Sequence, residues 1–257
     1  MNSDQNPFRP PEAKVYDHAQ TSMGRFILDG RRVPARHGYR WLQRGWEIFR
    51  ISPGTWIGIA VAFMALMLIV GMIPVINIAV NLLIPIFIGG ISVGCRAIER
   101  GDGLRFDHLF AGFSRQPGSL LVVGLLYTVS MALVVFAGMF GVGMTMAVIN
   151  NGVEATEAWS FGMVMLMALV FVASASLAMA VWLAPPLVIF HEISAFRAIK
   201  GSLRVAMRNI GPFTVYTLLV LVAAVIASLP LLLGWLVLLP VLYASLYAAY
   251  RDMFYEA

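Results

Sequence analysis

Charge is scarce in this chain. Of its 257 residues, 12% are Asp, Glu, Lys or Arg and 60% are hydrophobic. Soluble domains carry roughly a quarter charged residues, so an ordinary soluble domain is excluded and the membrane class is indicated. Cysteine is scarcer still. The single Cys95 excludes an intramolecular disulfide. It ends an apolar run beside Arg96 and reads as a small apolar helix residue. No signal peptide is apparent, because the first apolar run begins near residue 55. The chain is expected to be anchored by its own spans. Chemical motifs are missing as well. His191-Glu192 would open a zinc-protease motif, but its second His is replaced by Ala195. The four His are scattered without ligand spacing. Asp107 and His108 are sequence neighbours that point about 100° apart on a helix. No phosphate-binding loop, dinucleotide fingerprint or nucleophile elbow occurs. The expectation is a protein without catalytic cluster, metal or cofactor, and not an enzyme.

What is present is a recurring unit. Leu42 to Gly54 reads as a short amphipathic helix, a Pro-Gly break and the start of a long apolar run. At 100° per residue, Leu42, Trp46 and Phe49 share one face, with Gln43, Arg44, Glu47 and Arg50 opposite. Phe106, Phe110 and Phe113 repeat the apolar spacing before Pro117-Gly118. Ile199, Leu203 and Ala206 repeat it before Gly211-Pro212. The amphipathic helices are expected at about 38–51, 104–115 and 194–208.

Six spans follow from the apolar runs, at about 55–73, 75–95, 119–148, 161–190, 213–229 and 231–250. A spanning helix needs about 20 residues. The third and fourth runs exceed that, so a break is expected near Gly138, Gly141 and Gly143, and a kink or stop at Pro185-Pro186. The fold class is therefore an all-α membrane protein. Its six transmembrane helices form three hairpins, each preceded by an amphipathic interfacial helix. The degenerate repeats cover about 38–98, 104–190 and 194–250. Residues 1–37 are polar, Pro-punctuated and basic, and read as a disordered tail before the membrane domain, 38–257.

Lys and Arg are confined to four places: the region up to Arg50, 96–115, 197–208, and Arg251. Six spans put all four on one face, which is cytoplasmic by the positive-inside rule, with both termini inside. The net charge of +5 then points to an anionic membrane surface rather than nucleic acid.

Two groups stand out as candidate sites. Arg197, Lys200, Arg204 and Arg208 lie within about 80° on a helical wheel, with no acid in that arc. With Arg44 and Arg50 they form the candidate surface for anionic headgroups or a protein partner. Asn77 and Asn81, one turn apart in an apolar span, are the candidate intramembrane polar contact. The spans carry no Asp, Glu, Lys or Arg, which counts against an energised pump.

Several segments carry a family resemblance. Leu109-Phe110-Ala111-Gly112-Phe113, Ala184-Pro185-Pro186-Leu187-Val188, Ala198-Ile199-Lys200-Gly201-Ser202 and Tyr250-Arg251-Asp252-Met253-Phe254 resemble a family of proteobacterial inner-membrane proteins. The layout is similar to the YciC-like group and to the membrane domain beside glycerophosphodiester phosphodiesterases. The resemblance implies an inner-membrane location and this fold, and no reaction. Two functions are carried forward. One is a non-enzymatic module binding lipid or a protein partner at the cytoplasmic leaflet. The other is a transporter or channel for a small or lipidic substrate.

Overall fold

The computed structural model describes residues 24–72, 74–150 and 157–256. Helix α1 (His37–Ile51) leads into α2 (Pro53–Gly71) and α3 (Pro74–Arg100). A 3-10 turn, Phe106–Phe110, and the short α4 (Ala111–Arg115) follow. Then come α5 (Pro117–Asn150), α6 (Glu157–Trp182), α7 (Ala184–His191) and α8 (Ala195–Arg208). α9 (Ile210–Ser228) and α10 (Trp235–Phe254) close the chain. An isolated antiparallel bridge, the only one among the described residues, joins Phe26 to Tyr255.

Proline sets two of the boundaries. Ser52 and Gln116 take non-helical angles, near φ −143°, ψ 61° and φ −145°, ψ 52°. Each precedes a proline, whose ring disfavours the helical region for the residue before it. Pro53 then sits in the first turn of α2, where no backbone N–H is needed. At Pro185-Pro186 the long run stops. α6 ends at Trp182, and the prolines occupy the first turn of α7. The Leu183 N–H at this break donates to Ser202 Oγ at 3.2 Å, and that hydroxyl donates to Met179 O at 2.8 Å. The α6–α7 joint is thereby held by α8. α5 runs unbroken through Gly138, Gly141 and Gly143, against the expected break. Gly138 instead gives room to α6: a Cβ there would stand 3.1 Å from Val170.

Among the described residues five segments are long and apolar enough to cross a membrane: Pro53–Gly71, Val80–Arg100, Pro117–Ala147, Phe161–His191 and Ile210–Ser228. They differ in where they sit. The α3 segment is 61% buried, against 6 to 22% for the other four. α3 and α10 are the central helices, and the rest turn apolar surface outward. The last expected span, α10, falls short of the same apolar measure. It carries Tyr243, Ser245, Tyr247 and Tyr250 before Arg251-Asp252, and most of its length is buried in protein. A helix whose neighbours are other helices can hold hydroxyls that lipid would not accept.

The amphipathic segments are turned differently from the expectation. In α1 the buried face is Gly38, Trp41, Gly45 and Ile48, with Phe49 beside it. Trp46 is 44% exposed and Leu42 only partly covered. The region expected as a second amphipathic helix is a 3-10 turn joined to one helical turn. It buries Leu104, Leu109 and Gly112 and leaves Phe106, Phe110 and Phe113 exposed. In α8 the buried face is Ala195, Ala198, Gly201, Ser202, Val205 and Ala206, with Ile199 and Leu203 at its margin. Small residues mark all three contact faces, because close helix approach needs them.

Candidate functional site

The charged groups gather where the C-terminal ends of α3, α7 and α10 meet α1 and α8. Asp252, in the last turn of α10, is one centre. Its carboxylate accepts from Arg31 Nη2 at 3.0 Å, His37 Nδ1 at 2.7 Å and Trp41 Nε1 at 2.7 Å. Arg31 Nε also donates to the Asp252 carbonyl at 2.7 Å. The other His37 nitrogen accepts from Arg40 at 3.0 Å. Glu99, at the end of α3, is the second centre. It accepts from Tyr247 OH at 2.7 Å and Arg251 Nη1 at 3.0 Å, with Arg44 at 3.8 Å. Both carboxylate side chains are 19% exposed, and pairing is what makes such placement tolerable.

Asn209, between α8 and α9, is buried and fully used. Its Oδ1 accepts the Val33 N–H at 2.8 Å. Its Nδ2 donates to Arg31 O at 3.0 Å and Val205 O at 2.9 Å. These bonds hold residues 31–33 against the α8–α9 joint. Further back, Ile27 N donates to Phe254 O and Arg31 N to Met253 O, both at 2.8 Å. Phe26 stacks on His191, whose Nε2 is 2.7 Å from Tyr250 OH. Of the segment expected as a tail, residues 1–23 lie outside the described residues, and the rest carries these contacts.

The candidate cations separate into groups. Arg204 forms an ion pair with Asp29, and Arg208 donates to the Asp29 carbonyl at 3.3 Å. The arc without an acid along α8 therefore receives one from the N-terminal segment. Arg197 donates to Ser194 Oγ at 3.2 Å, and Arg197 and Lys200 are exposed. Arg44 pairs with Glu47 at 3.0 Å, and this bond holds the Glu47 carboxyl below its ordinary range. Arg50 is exposed on α1, away from the α8 arc. Asn81 is exposed on α3, and the Asn77 side chain lies outside the described residues. A recess of about 200 Å³ lies beside Asp252, lined by His37, Arg40, Trp41, Arg44 and Ala248. Among the described residues no group of His, Cys, Asp or Glu could hold a metal ion.

The sequence reading missed Asp252, Glu99, Asp29 and Asn209. Asp252 entered only within the resemblance segment Tyr250–Phe254, and Glu99 was given no role. One signal was available: Asp252 and Glu99 end long apolar runs beside arginines, where a carboxylate has a pairing partner at hand.

Comparison with known proteins agrees with the apolar helices. The chain is 32% identical to a probable inner membrane protein of Burkholderia thailandensis over 255 aligned positions, covering 86% of this chain and 92% of the relative. The chain belongs to this inner-membrane family. It is a multi-pass integral protein of the bacterial inner membrane. No family model matches the chain, and no solved structure does. In such a protein a carboxylate shielded from water needs a partner, and Asp252 and Glu99 each have several.

Proposed function

We propose that this inner-membrane protein is a non-enzymatic module that binds anionic lipid headgroups, or a protein partner, at the cytoplasmic leaflet. Its six helices cross as three hairpins, and both termini are cytoplasmic. The observation that carries this reading is the convergence of the charged helix ends. Arg44, Glu99 and Arg251 meet in one cluster, and Arg31, His37 and Asp252 meet in another within the same layer. The connections at the other ends of the helices contain no Lys or Arg. One-sided positive charge of this kind orients a multi-pass protein toward the cytoplasm. Arg197 and Lys200, with Arg204 and Arg208 beside them, offer that leaflet more positive charge than the Asp29 carboxylate offsets. Each cation near an anionic surface contributes about 1 kcal/mol. We also propose kinship with the YciC-like group, which rests on the similar layout of spans and amphipathic helices.

The test is lipid selectivity in reconstituted membranes. Spin-labelled phosphatidylglycerol should associate with the protein more than spin-labelled phosphatidylcholine, and the difference should shrink with added salt. Replacing Arg197, Lys200, Arg204 and Arg208 by Gln should remove most of it. Equal association of the two lipids with the native protein at low salt would sink the lipid reading.

A further inference from the structure

We infer that a lateral groove between α1, α9 and α10 is a binding site for one anionic phospholipid, separate from the basic arc of α8. The groove has a volume of about 580 Å³, within the ~300–1,000 Å³ of small-molecule sites. Leu42 and Trp46 of α1 form one wall. Ala223 and Ile226 of α9 and Val237 and Val241 of α10 form the others. The wall residues are almost all apolar, and the groove extends from α1 to Pro230, in the turn that joins α9 to α10. Its α9 side continues into Leu221, Val222 and Val225, which are exposed. In an inner-membrane protein that outer surface meets acyl chains, so hydrocarbon has direct entry.

The occupant follows from what stands around the apolar slot. On α1, Tyr39, Gln43 and Trp46 line the groove. Arg36 and Arg50, at the two ends of α1, fall in the same arc as these three at 100° per residue. Both arginines are exposed, and neither forms an ion pair among the described residues. Gln43 donates to Glu47 at 3.1 Å, so the one acid on α1 is already engaged by Gln43 and Arg44. An apolar slot under an arc with two free cations and an aromatic edge fits a diacyl lipid. One acyl chain runs toward the turn, and the phosphate sits against Arg36 or Arg50. Trp46 and Tyr39 are the residue types that favour the headgroup level. Arg31, Arg40 and Arg44 belong to the Asp252 and Glu99 clusters and are not needed for this site.

The inference uses the inner-membrane location and does not depend on lipid binding at α8. The protein is purified in mild detergent and washed, and retained lipid is read by native mass spectrometry, with phosphatidylglycerol or phosphatidylcholine added back. The native protein should keep phosphatidylglycerol roughly fivefold better, as one cation near an anionic group allows. Ala223→Trp, which fills the slot, should lower retention of both lipids about tenfold. Val237→Trp fills it from the α10 side and should do the same. Leu221→Trp, on the neighbouring lipid-facing surface, should change nothing. Arg36→Gln with Arg50→Gln should leave retention but erase the headgroup preference. Replacing the four α8 cations should leave all these results unchanged, which separates this site from the proposed α8 surface. Undiminished retention in both Trp variants would overturn the proposal. So would a headgroup preference that survives loss of Arg36 and Arg50. A change of oligomeric state in the Trp variants with lipid retention intact would assign the groove to a second copy of the chain instead. If either Trp variant unfolds, bromine-labelled phosphatidylglycerol should still quench a protein whose sole tryptophan is Trp46, and absence of quenching would equally overturn it.

Discussion

Trp41 donates its indole N–H to Asp252 Oδ2 at 2.7 Å, joining the first described helix to the last. The same carboxylate also serves Arg31 and His37. Removing it strands three donors at once. Asp252→Ala is expected to lower stability by about 3 kcal/mol, the scale for breaking a largely buried pair. Asp252→Asn should cost less, because an amide oxygen still accepts from Trp41. Thermal unfolding in detergent measures both. Equal losses would mean that the carboxylate's charge, not its packing or a neutral acceptor oxygen, holds the joint.

Close approach of α1 to α10 depends on Gly45. A Cβ at this position would stand 2.6 Å from Val241 O and 2.8 Å from Ser245 N. Both are backbone atoms, which cannot swing aside. Gly45→Ala is expected to cost about 1–3 kcal/mol by overpacking. Gly54→Ala, where a Cβ meets nothing within 4 Å, is the control and should be nearly neutral. Paired melting curves compare them.

The topology has a direct check. A cysteine in place of Glu154 should react with an impermeant thiol reagent added outside spheroplasts, and one in place of Arg100 should not. Cys95 is buried and should stay silent. Labelling at position 100 from outside would reverse the orientation.

His108 gives a pH dependence with a definite sign. Its Nδ1 accepts the Arg105 N–H at 3.1 Å, which requires that nitrogen to be unprotonated. Desolvation lowers its pKa, and Arg105 and Arg115 add to this, while Asp107 and Asp102 oppose it. The unfolded His titrates near ~6.5. Below that pH the unfolded chain binds a proton that the native loop refuses, so stability falls as pH drops toward the folded pKa. Above ~6.5 the contribution is fully present. NMR titration of labelled imidazole should find His108 below the free value. A midpoint at or above it would contradict the bond.

Much of the helix layout was legible because Pro and Gly punctuate it. α1 was expected at about 38–51 and runs from His37 to Ile51. The faces were less legible. Periodicity of apolar residues points to Leu42 and Trp46, yet Trp41, Gly45 and Ile48 meet the protein. In a membrane both the protein side and the lipid side accept apolar groups, so hydrophobic period alone cannot tell them apart. The glycines could have done so, since Gly38 and Gly45 mark one face. The same blindness affects Phe106, Phe110 and Phe113, which face outward. The Asp252 and Glu99 centres draw together residues as far as 221 positions apart, and no local pattern encodes that pairing. α10 read as one more span because its sequence is apolar enough for helix and core. Its tyrosines were the sign that it is enclosed by other helices.

The Trp41–Asp252 bond also sets an order in time. Its partners are 211 residues apart, so Asp252 is made long after Trp41. At about 5–20 residues per second, α1 waits roughly 10 to 40 s for its acceptor. Through most of that interval Gly38 waits for Pro212 and Tyr216 of α9, and Gly45 waits for Val241 and Ser245 of α10. The joint of α1 with α10 therefore closes late. A ribosome that stops before Asp252 would leave Trp41 against Phe213 of α9 but without its acceptor.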